Sequence, residues 1–263
     1  MAALSQRHED MVLYLLSYSP PLNLNARFVE ESYLLLTLAA ELGLVRAVKA
    51  SLGLEVDLLA RDSRNHLAVC RAVRRCHVEV VNVLLEAHAA QDDGDGGVVA
   101  VVECPYAQDE EEQAYPLLFH AIDTEPNIAP EARLAMVRCL VQRWGADVRA
   151  VVTLQIGLQF CPLFTAALST AHDVVAFFLG ECGVDVNMAT PRTMQRVLHA
   201  FACQAMTISN REATRMLKYL VEERGVDPTL KNVWGQDAQG AALGHRNNIC
   251  INYFSSLLVR DSK

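Results

Sequence analysis

The chain has 263 residues, of which 52% are hydrophobic, and it carries a formal net charge of −8. This hydrophobic content excludes a mostly disordered protein and requires a sizeable buried core. The first apolar run spans only Met11 to Leu16, which is too short for a secretory signal or a membrane span. The expected location is therefore inside the cell, in the cytoplasm or the nucleus, with no membrane partner.

The cysteines and the missing motifs argue against catalysis. Eight cysteines are scattered without a CxxC pair, which favours reduced, mostly buried thiols over a disulfide framework or a zinc site. The sequence also lacks a Gly-rich phosphate loop, an HExxH motif and a GxSxG motif. We therefore expect no enzyme activity, no cofactor and no bound metal.

The negative charge is confined to one segment. Eight acids occur between residues 92 and 112 without a Lys or Arg, and the rest of the chain contains equal numbers of acids and bases. General nucleic-acid binding needs an extended basic face. The balanced remainder therefore indicates that nucleic acid is not a partner.

Pairs of short apolar helices recur along the chain, and self-similarity at about 33 residues per unit is the signature of a solenoid. The first repeat, about 1–26, begins inside a helix, which fits either a trimmed N-terminal cap or a fragment of a longer protein. The second repeat, about 27–60, contains Ala39-Ala40 and Gly43. The third, about 61–90, contains the turn residues Asp62 and Asn65 before its helices.

An insert at 91–113 then interrupts the pattern. It is Gly-rich at first and strongly acidic towards its end. Loops of this length are uncommon unless they are functional or disordered. The fourth repeat, about 114–150, follows the insert, and Pro126 and Pro130 lengthen the turn between its helices.

The fifth repeat, about 151–190, is the clearest. Pro162 is suited to the first position of a helix, and a second helix is predicted to bury Val174, Val175, Phe178 and Leu179 before Gly183 supplies a left-handed cap. The sixth repeat covers about 191–230. The seventh covers about 231–263, and two helical frames compete in it around Gly244-His245.

The fifth repeat resembles an ankyrin repeat. The resemblance rests on Pro162-Leu163, Ala166-Ala167, Val174-Val175, Leu179 and the run from Gly183 to Asn187. It implies an all-α ankyrin-like solenoid of about seven stacked helix-turn-helix repeats with short finger hairpins, forming a single domain over 1–263. It also implies that imidazoles at His8, His77, His199 and His245 bond to neighbouring loop backbones.

The same resemblance implies a function in protein recognition. We expect a monomeric, non-catalytic scaffold or adaptor that binds a protein partner on the concave face formed by the fingers and the first helix of each repeat. The alternative is a regulatory or targeting subunit that inhibits or positions a partner enzyme. The fold does not identify the partner.

An arginine group in the third repeat is one candidate contact surface. It consists of Arg61, Arg64, Arg71, Arg74 and Arg75. Arginine binds carboxylates and phosphates through two parallel hydrogen bonds. The ankyrin arrangement would direct these side chains into the concave groove, whereas the simpler interpretation is a solvated helix face.

The acidic end of the insert is a second candidate. Asp109, Glu110, Glu111 and Glu112 follow the arginine group, and we expect them either to cover the arginines as a tethered mask or to form a solvated loop.

Trp234 and Asn187 are two further candidate site residues. Trp234 lies in a turn, Asn232 to Gly235, where it would be either an interface anchor or a cover for the end of the stack. Leu179 and the run Asp185-Val186-Asn187 match the pattern of ankyrin repeats that are hydroxylated on asparagine, which makes Asn187 a possible hydroxylation site. The alternative for Asn187 is a purely structural turn.

Overall fold

A computed structural model describes residues 9–10, 13–14, 35–54, 56–62, 66–91, 101–102, 115–124, 127–153, 159–203 and 209–261 of the chain, with side chains described up to residue 257. The chain divides into two compact units, Met1–Asp147 and Val148–Lys263. We call them the N-terminal unit and the C-terminal unit, and describe each by itself.

The N-terminal unit is built from pairs of short helices. They are α1 (Leu35–Glu41), α2 (Val45–Leu52), α3 (Ala68–Arg74), α4 (Val78–Gln91), α5 (Leu117–Ile122) and α6 (Pro130–Arg138). Helix α1 packs against α3, α3 packs against α5, and α2 packs against α4. First helices therefore stack on first helices, and second helices on second helices.

The C-terminal unit begins with a finger hairpin, and helix pairs follow. Strand β1 (Val152–Thr153) pairs antiparallel with β2 (Gln159–Phe160). The helices are α7 (Pro162–Leu168), α8 (His172–Gly180), α9 (Val197–Cys203), α10 (Asn210–Lys218), α11 (Ala238–Gly244) and α12 (Asn248–Asp261). Helix α9 lies between α7 and α11, and α10 packs against α12.

Small residues permit the close stacking of the first helices. Ala39 and Ala40 of α1, and Ala166 and Ala167 of α7, are fully or almost fully buried. A larger side chain at these positions would separate neighbouring repeats, because protein interiors are close-packed. Large apolar side chains such as Phe164 and Phe201 fill the remaining core.

In the second, third, fifth and seventh repeats, the turn between the two helices contains a residue in the left-handed region. Gly43 (φ +72°) has this conformation in the second repeat, Cys76 (φ +58°) in the third, Thr170 (φ +51°) in the fifth and Arg246 (φ +53°) in the seventh. The next amide bonds back across the turn, as when Leu44 N donates to the Ala39 carbonyl at 2.9 Å. This position favours glycine because the left-handed region is costly for other residues.

Three second helices end in a widened, π-type turn. The π-helical segments Cys139–Arg143 and Tyr219–Glu223 continue α6 and α10. After α8, the Cys182 amide donates to the Phe177 carbonyl five residues earlier, at 3.1 Å. Each helix therefore accommodates one more residue than a regular α-helical end would.

A left-handed glycine closes each widened end. Gly145 (φ +69°), Gly183 (φ +62°) and Gly225 (φ +69°) occupy this position, so the predicted cap at Gly183 is confirmed. The prediction for the buried face of α8 needs one correction. Phe177 is buried there whereas Leu179 is half-buried, because the buried stripe runs through Val174, Val175, Phe177 and Phe178, and Leu179 lies at its edge.

Candidate binding surface

The finger of the seventh repeat is a tight turn organised by one asparagine. The Asn232 amide donates to the Gln236 carbonyl at 2.9 Å. The buried side-chain oxygen of Asn232 accepts from the backbone amides of Trp234 and Gln236, both at 3.0 Å. These bonds fix the backbone that carries Trp234, while its side chain remains 59% exposed.

The finger of the sixth repeat is closed by buried polar side chains. The Thr190 amide donates to the Gln195 carbonyl at 2.9 Å, and the hydroxyls of Thr190 and Thr193 lie 2.7 Å apart. At its tip, Met194 has a left-handed backbone (φ +48°). The Met194 side chain is directed outwards and is 44% exposed.

Hydrogen bonds join the three fingers of the C-terminal unit. The Val233 amide donates to the Thr193 carbonyl at 3.1 Å, which connects the seventh finger to the sixth. The buried side-chain oxygen of Gln159 in β2 accepts from the amides of Arg192 at 2.9 Å and Thr193 at 3.3 Å, which connects the sixth finger to the fifth. The finger tips therefore form one ordered edge.

We call the exposed side of this edge the fingertip surface. Its apolar members are Met194, Val233 and Trp234. Its basic members are Arg192, Arg196 and Lys231, and one guanidinium nitrogen of Arg196 donates to the carbonyls of Met194 at 3.2 Å and Lys231 at 3.0 Å. The surface thus combines a large exposed aromatic ring, two smaller apolar side chains and three cations.

The arginine group of the third repeat is arranged differently from the expectation. Arg71 does not point into an open groove, because its side chain is only 9% exposed. Its Nε lies 2.8 Å from the fully buried carboxylate of Asp62, and Glu41 lies 3.7 Å from another guanidinium nitrogen. The expectation that Arg71 contacts a partner is therefore corrected: Arg71 is part of an internal ion-pair network.

Glu41 extends this network to a second arginine. The Arg75 guanidinium donates to Glu41 at 2.9 Å and is part-buried. Asp62 also accepts from the amide of His66 at 2.9 Å, which shapes the finger of the third repeat. Arg61 and Arg74 are half-exposed, and their proposed partner contacts stay predictions.

Two histidines occupy the structural positions that the resemblance implied. His77 Nε2 donates to the Glu41 carbonyl at 3.0 Å, and His199 Nε2 donates to the Gln236 carbonyl at 3.0 Å. Burial lowers the pKa of both imidazoles, so both are neutral at pH 7. His245 is exposed, and His8 lies outside the described residues.

Burial makes three of the described thiols poor nucleophiles. Burial raises the pKa of Cys161 and Cys250 to about 12, and that of Cys76 to about 11, so the reactive thiolate is scarce at neutral pH. The cysteines within the described ranges are all free thiols. The same part of the chain contains no group of three His, Cys, Asp or Glu side chains placed to hold a metal ion.

Other predicted site residues are untested. Arg64 and the acidic segment Asp109 to Glu112 lie outside the described residues. Asn187 accepts a hydrogen bond from the Asp227 amide at 3.1 Å and donates its own amide to Asp185 at 2.9 Å. Its hydroxylation stays a prediction. Where the structure is described, no helix has both the length and the apolarity to cross a membrane.

Sequence patterns missed part of the fingertip surface. Trp234 stood out because tryptophan in a turn has little core to enter, whereas Met194 and Val233 gave no comparable signal. Their exposure depends on how the neighbouring fingers are joined, which local sequence does not specify. One signal was present in the sequence: Met194 and Val233 are apolar residues that directly follow Thr193 and Asn232 in otherwise polar turns.

Comparison with solved structures shows the ankyrin-repeat fold. The chain is similar to the human ASB11 ankyrin repeat domain, with a TM-score of 0.60, 21% identity and coverage of 92% of this chain and 90% of that one. It is similar to the ankyrin repeat domain of Bcl-3, described as a member of the IkappaB family, with a TM-score of 0.57, 21% identity and coverage of 97% and 96%.

A bacterial ankyrin repeat domain from Acinetobacter baumannii AYE is also similar, with a TM-score of 0.52, 19% identity and coverage of 83% of this chain and 94% of that one. No protein-family description matches the sequence. No curated protein matches it significantly either. The predicted all-α ankyrin-like fold is therefore confirmed by structure, at sequence identities that show the fold alone.

Proposed function

We propose that this chain, which has the ankyrin-repeat fold, is a non-catalytic protein-interaction module that acts as a scaffold or adaptor. Ankyrin-repeat domains are generally interaction modules, which supports the general class. The observation that carries the proposal for this chain is the exposed Trp234 on an ordered finger. The finger side of the C-terminal unit is the proposed binding face.

A partner that covers Trp234 would gain free energy, because a large aromatic side chain is unfavourable in water. An exposed Trp can bury more than 150 Å² when a partner covers it, and tryptophan is enriched among residues that dominate binding energy. The Asn232 side chain already holds the backbone of Trp234 in place. Binding therefore has less conformational entropy to remove than it would on a flexible loop.

Site-specific photocrosslinking tests the proposal. A photoreactive phenylalanine analogue is placed at Val233 on the fingertip surface, and in a matched control at Asn252, which is exposed on α12. In cells of the source organism, we expect a discrete crosslinked protein from position 233 that is absent from position 252. Equal crosslinking at both positions, or none at either, would contradict the proposal.

The same experiment separates the two functional classes. If the crosslinked protein is an enzyme, its rate is measured with and without the purified chain. An unchanged rate supports an adaptor, and a changed rate supports the alternative of a regulatory subunit.

A further inference from the structure

We infer that the fingertip surface binds an acidic peptide segment that carries a bulky apolar side chain. This inference rests on the proposed function, and specifies the chemistry of the partner. It is carried by the charges and exposed apolar groups that the joined fingers bring together.

The charges at the finger tips are all positive. Residues 190–196 and 231–236 contain Arg192, Arg196 and Lys231 and no Asp or Glu. Arg192 and Lys231 are exposed. Within the described ranges, no ion pair joins any of these three cations to a carboxylate. A carboxylate on a partner would therefore find three cations along one edge.

The nearest acids in the sequence are already engaged in their own turns. Asp237 accepts from the Gly240 amide at 2.7 Å at the start of α11. Asp227 accepts from the Thr229 amide at 2.8 Å, and Asp185 from the Asn187 amide at 2.9 Å. Hydrogen bonds from Thr229 and then the charge of Arg196 lower the pKa of Asp227, so Asp227 offsets part of the Arg196 charge. The exposed positive charge at the tips therefore belongs mainly to Arg192 and Lys231.

Arg196 is held in position before any partner arrives. Its guanidinium donates to carbonyls in both the sixth and the seventh finger. A fixed guanidinium loses little conformational freedom when a carboxylate binds nearby. The same bonds keep the two fingers, and hence Met194 and Trp234, on one surface.

The apolar part of the surface requires a matching apolar anchor. Trp234, Val233 and Met194 are 59%, 49% and 44% exposed. The Val233–Thr193 backbone bond joins the two tips. Methionine adapts its shape to different neighbours, and tryptophan supplies a large rigid face. A Leu, Phe or Trp on the partner would cover them, with adjacent Asp or Glu facing the cations.

Single-stranded nucleic acid is the competing ligand chemistry, because bases stack on aromatic rings and phosphates bind Arg and Lys. Such binding needs a positively charged groove that follows the backbone. The C-terminal unit has eleven Lys and Arg residues against nine Asp and Glu, which gives only a small positive excess. Three clustered cations beside apolar side chains fit a short acidic peptide better.

Peptide selection on the full-length chain tests the partner chemistry. Random 12-residue peptides displayed on phage are selected on the wild-type chain and depleted on Trp234→Ala. We expect the selected peptides to combine a Leu, Phe or Trp with two or more neighbouring acids. Neutral or basic peptides, or the absence of any Trp234-dependent peptide, would overturn the inference.

The charge contribution is then measured by fluorescence anisotropy with a selected, labelled peptide at 0.15 M salt. The double substitution Arg192→Glu/Lys231→Glu should weaken binding at least tenfold. The matched control, Arg215→Glu/Lys218→Glu, makes the same charge change at exposed positions on α10, and should change affinity less than threefold because neither side chain belongs to the fingertip surface. Equal effects of both variants would overturn the inference.

A labelled oligo-dT of 12 nucleotides serves as the nucleic-acid probe, and tighter binding of it than of the peptide would also overturn the inference. The two proposals fail separately. Trp234-dependent peptides without acids would remove the acidic preference and leave the interaction function intact. The loss of position-specific photocrosslinking at Val233 would remove the interaction function itself.

Discussion

Gly43 shows how strongly a single position can be constrained by a neighbouring repeat. Its backbone is left-handed, and a Cβ added there would lie 2.7 Å from two atoms of the His77 ring. His77 in turn donates to the carbonyl of Glu41. The glycine thus satisfies two requirements together: an unusual dihedral angle and close contact with an imidazole from the next repeat.

Gly43→Ala should therefore destabilise the protein by more than the dihedral angle alone explains. Alanine in the left-handed region costs roughly 1–2 kcal/mol, and the steric contact with His77 adds to it. Gly145→Ala is the matched control, because Gly145 is equally left-handed but a Cβ there would meet nothing within 4 Å. Urea unfolding should show a larger loss for Gly43→Ala, and equal losses would contradict a steric role of His77.

Thr170 presents the opposite case, a β-branched residue where glycine is preferred. Its φ is +51°, which is unfavourable for a side chain branched at Cβ. Thr170→Gly should raise the free energy of unfolding by about 1 kcal/mol, because the strain is removed. Ser169→Gly, one residue earlier at φ −78°, should give no gain. Thermal unfolding compares the two, and destabilisation by Thr170→Gly would refute the strain argument.

At the scale of elements, a buried ion-pair network connects α1, α3 and the finger of the third repeat. Asp62 pairs with Arg71, and Glu41 pairs with Arg71 and Arg75. Removing one partner of a buried pair leaves an uncompensated charge, which typically costs about 3–5 kcal/mol. The network therefore fixes Asp62 relative to helices α1 and α3 of the N-terminal unit.

Arg71→Met should destabilise the chain by about 3 kcal/mol because Asp62 loses its buried partner. Lys49→Met is the matched control, since Lys49 lies 3.9 Å from Glu79 in an exposed pair. Exposed pairs contribute about 0–1 kcal/mol, so the control should change stability little. If chemical denaturation gives similarly small losses of unfolding free energy for both variants, the network does not stabilise the fold.

Sequence patterns identified the helix pairs because their signals are local. Pro162 begins α7 as predicted, the alanine pairs are buried, and Gly183 is left-handed. The burial of Arg71 and its internal ion pairs could not be predicted in this way. A helical pattern shows which residues share a face, but the opposing carboxylates, Asp62 and Glu41, come from a finger and from another repeat.

The widened helix ends were missed for a related reason. The segments LVQRWG and LVEERG, like FLGECG, have one residue more than a regular α-helical end accommodates. The repeat signature depends on approximate spacing, and a single extra residue is absorbed as a π-type turn without disturbing the apolar positions. A glycine still follows each widened end, so the left-handed cap predicted at Gly183 was correct.

At the scale of the whole molecule, buried neutral histidines link stability to pH. Burial is the first cause of a lowered pKa at six of them: His66, His77, His88, His120, His172 and His199. The largest effect is at His120, where burial lowers the pKa to about 4. A lowered folded-state pKa means that the neutral form is favoured in the folded protein.

Stability should therefore be greatest above the unfolded-state pKa of about 6.5 and should decrease as the pH falls from 6.5 towards 4. The shift at His120 alone corresponds to roughly 3 kcal/mol. Thermal midpoints measured at pH 7.5, 6, 5 and 4 should fall progressively, and His120→Gln should reduce the pH dependence. A midpoint that rises on acidification would contradict this account.

The two compact units differ in what they offer a partner. In the N-terminal unit, two of the predicted contact arginines are used in internal pairs. Both units expose large apolar side chains, such as Leu59 in the N-terminal unit. In the C-terminal unit, the exposed apolar groups of the fingertip surface lie beside cations on a backbone that hydrogen bonds hold in place. We therefore assign the proposed recognition surface to the fingers of the C-terminal unit.

The most direct test of this assignment is the fluorescence of Trp234 in a Trp144→Phe variant. The chain has two tryptophans, and Trp144 is part-buried with its indole donating to Asn82 at 2.8 Å, so its replacement isolates the signal of Trp234. Without a partner, Trp234 should emit as a solvated indole and be quenched by acrylamide. With the selected peptide, emission should shift to the blue and quenching should fall. Protection before any peptide is added, or quenching unchanged by a peptide that binds, would contradict the account.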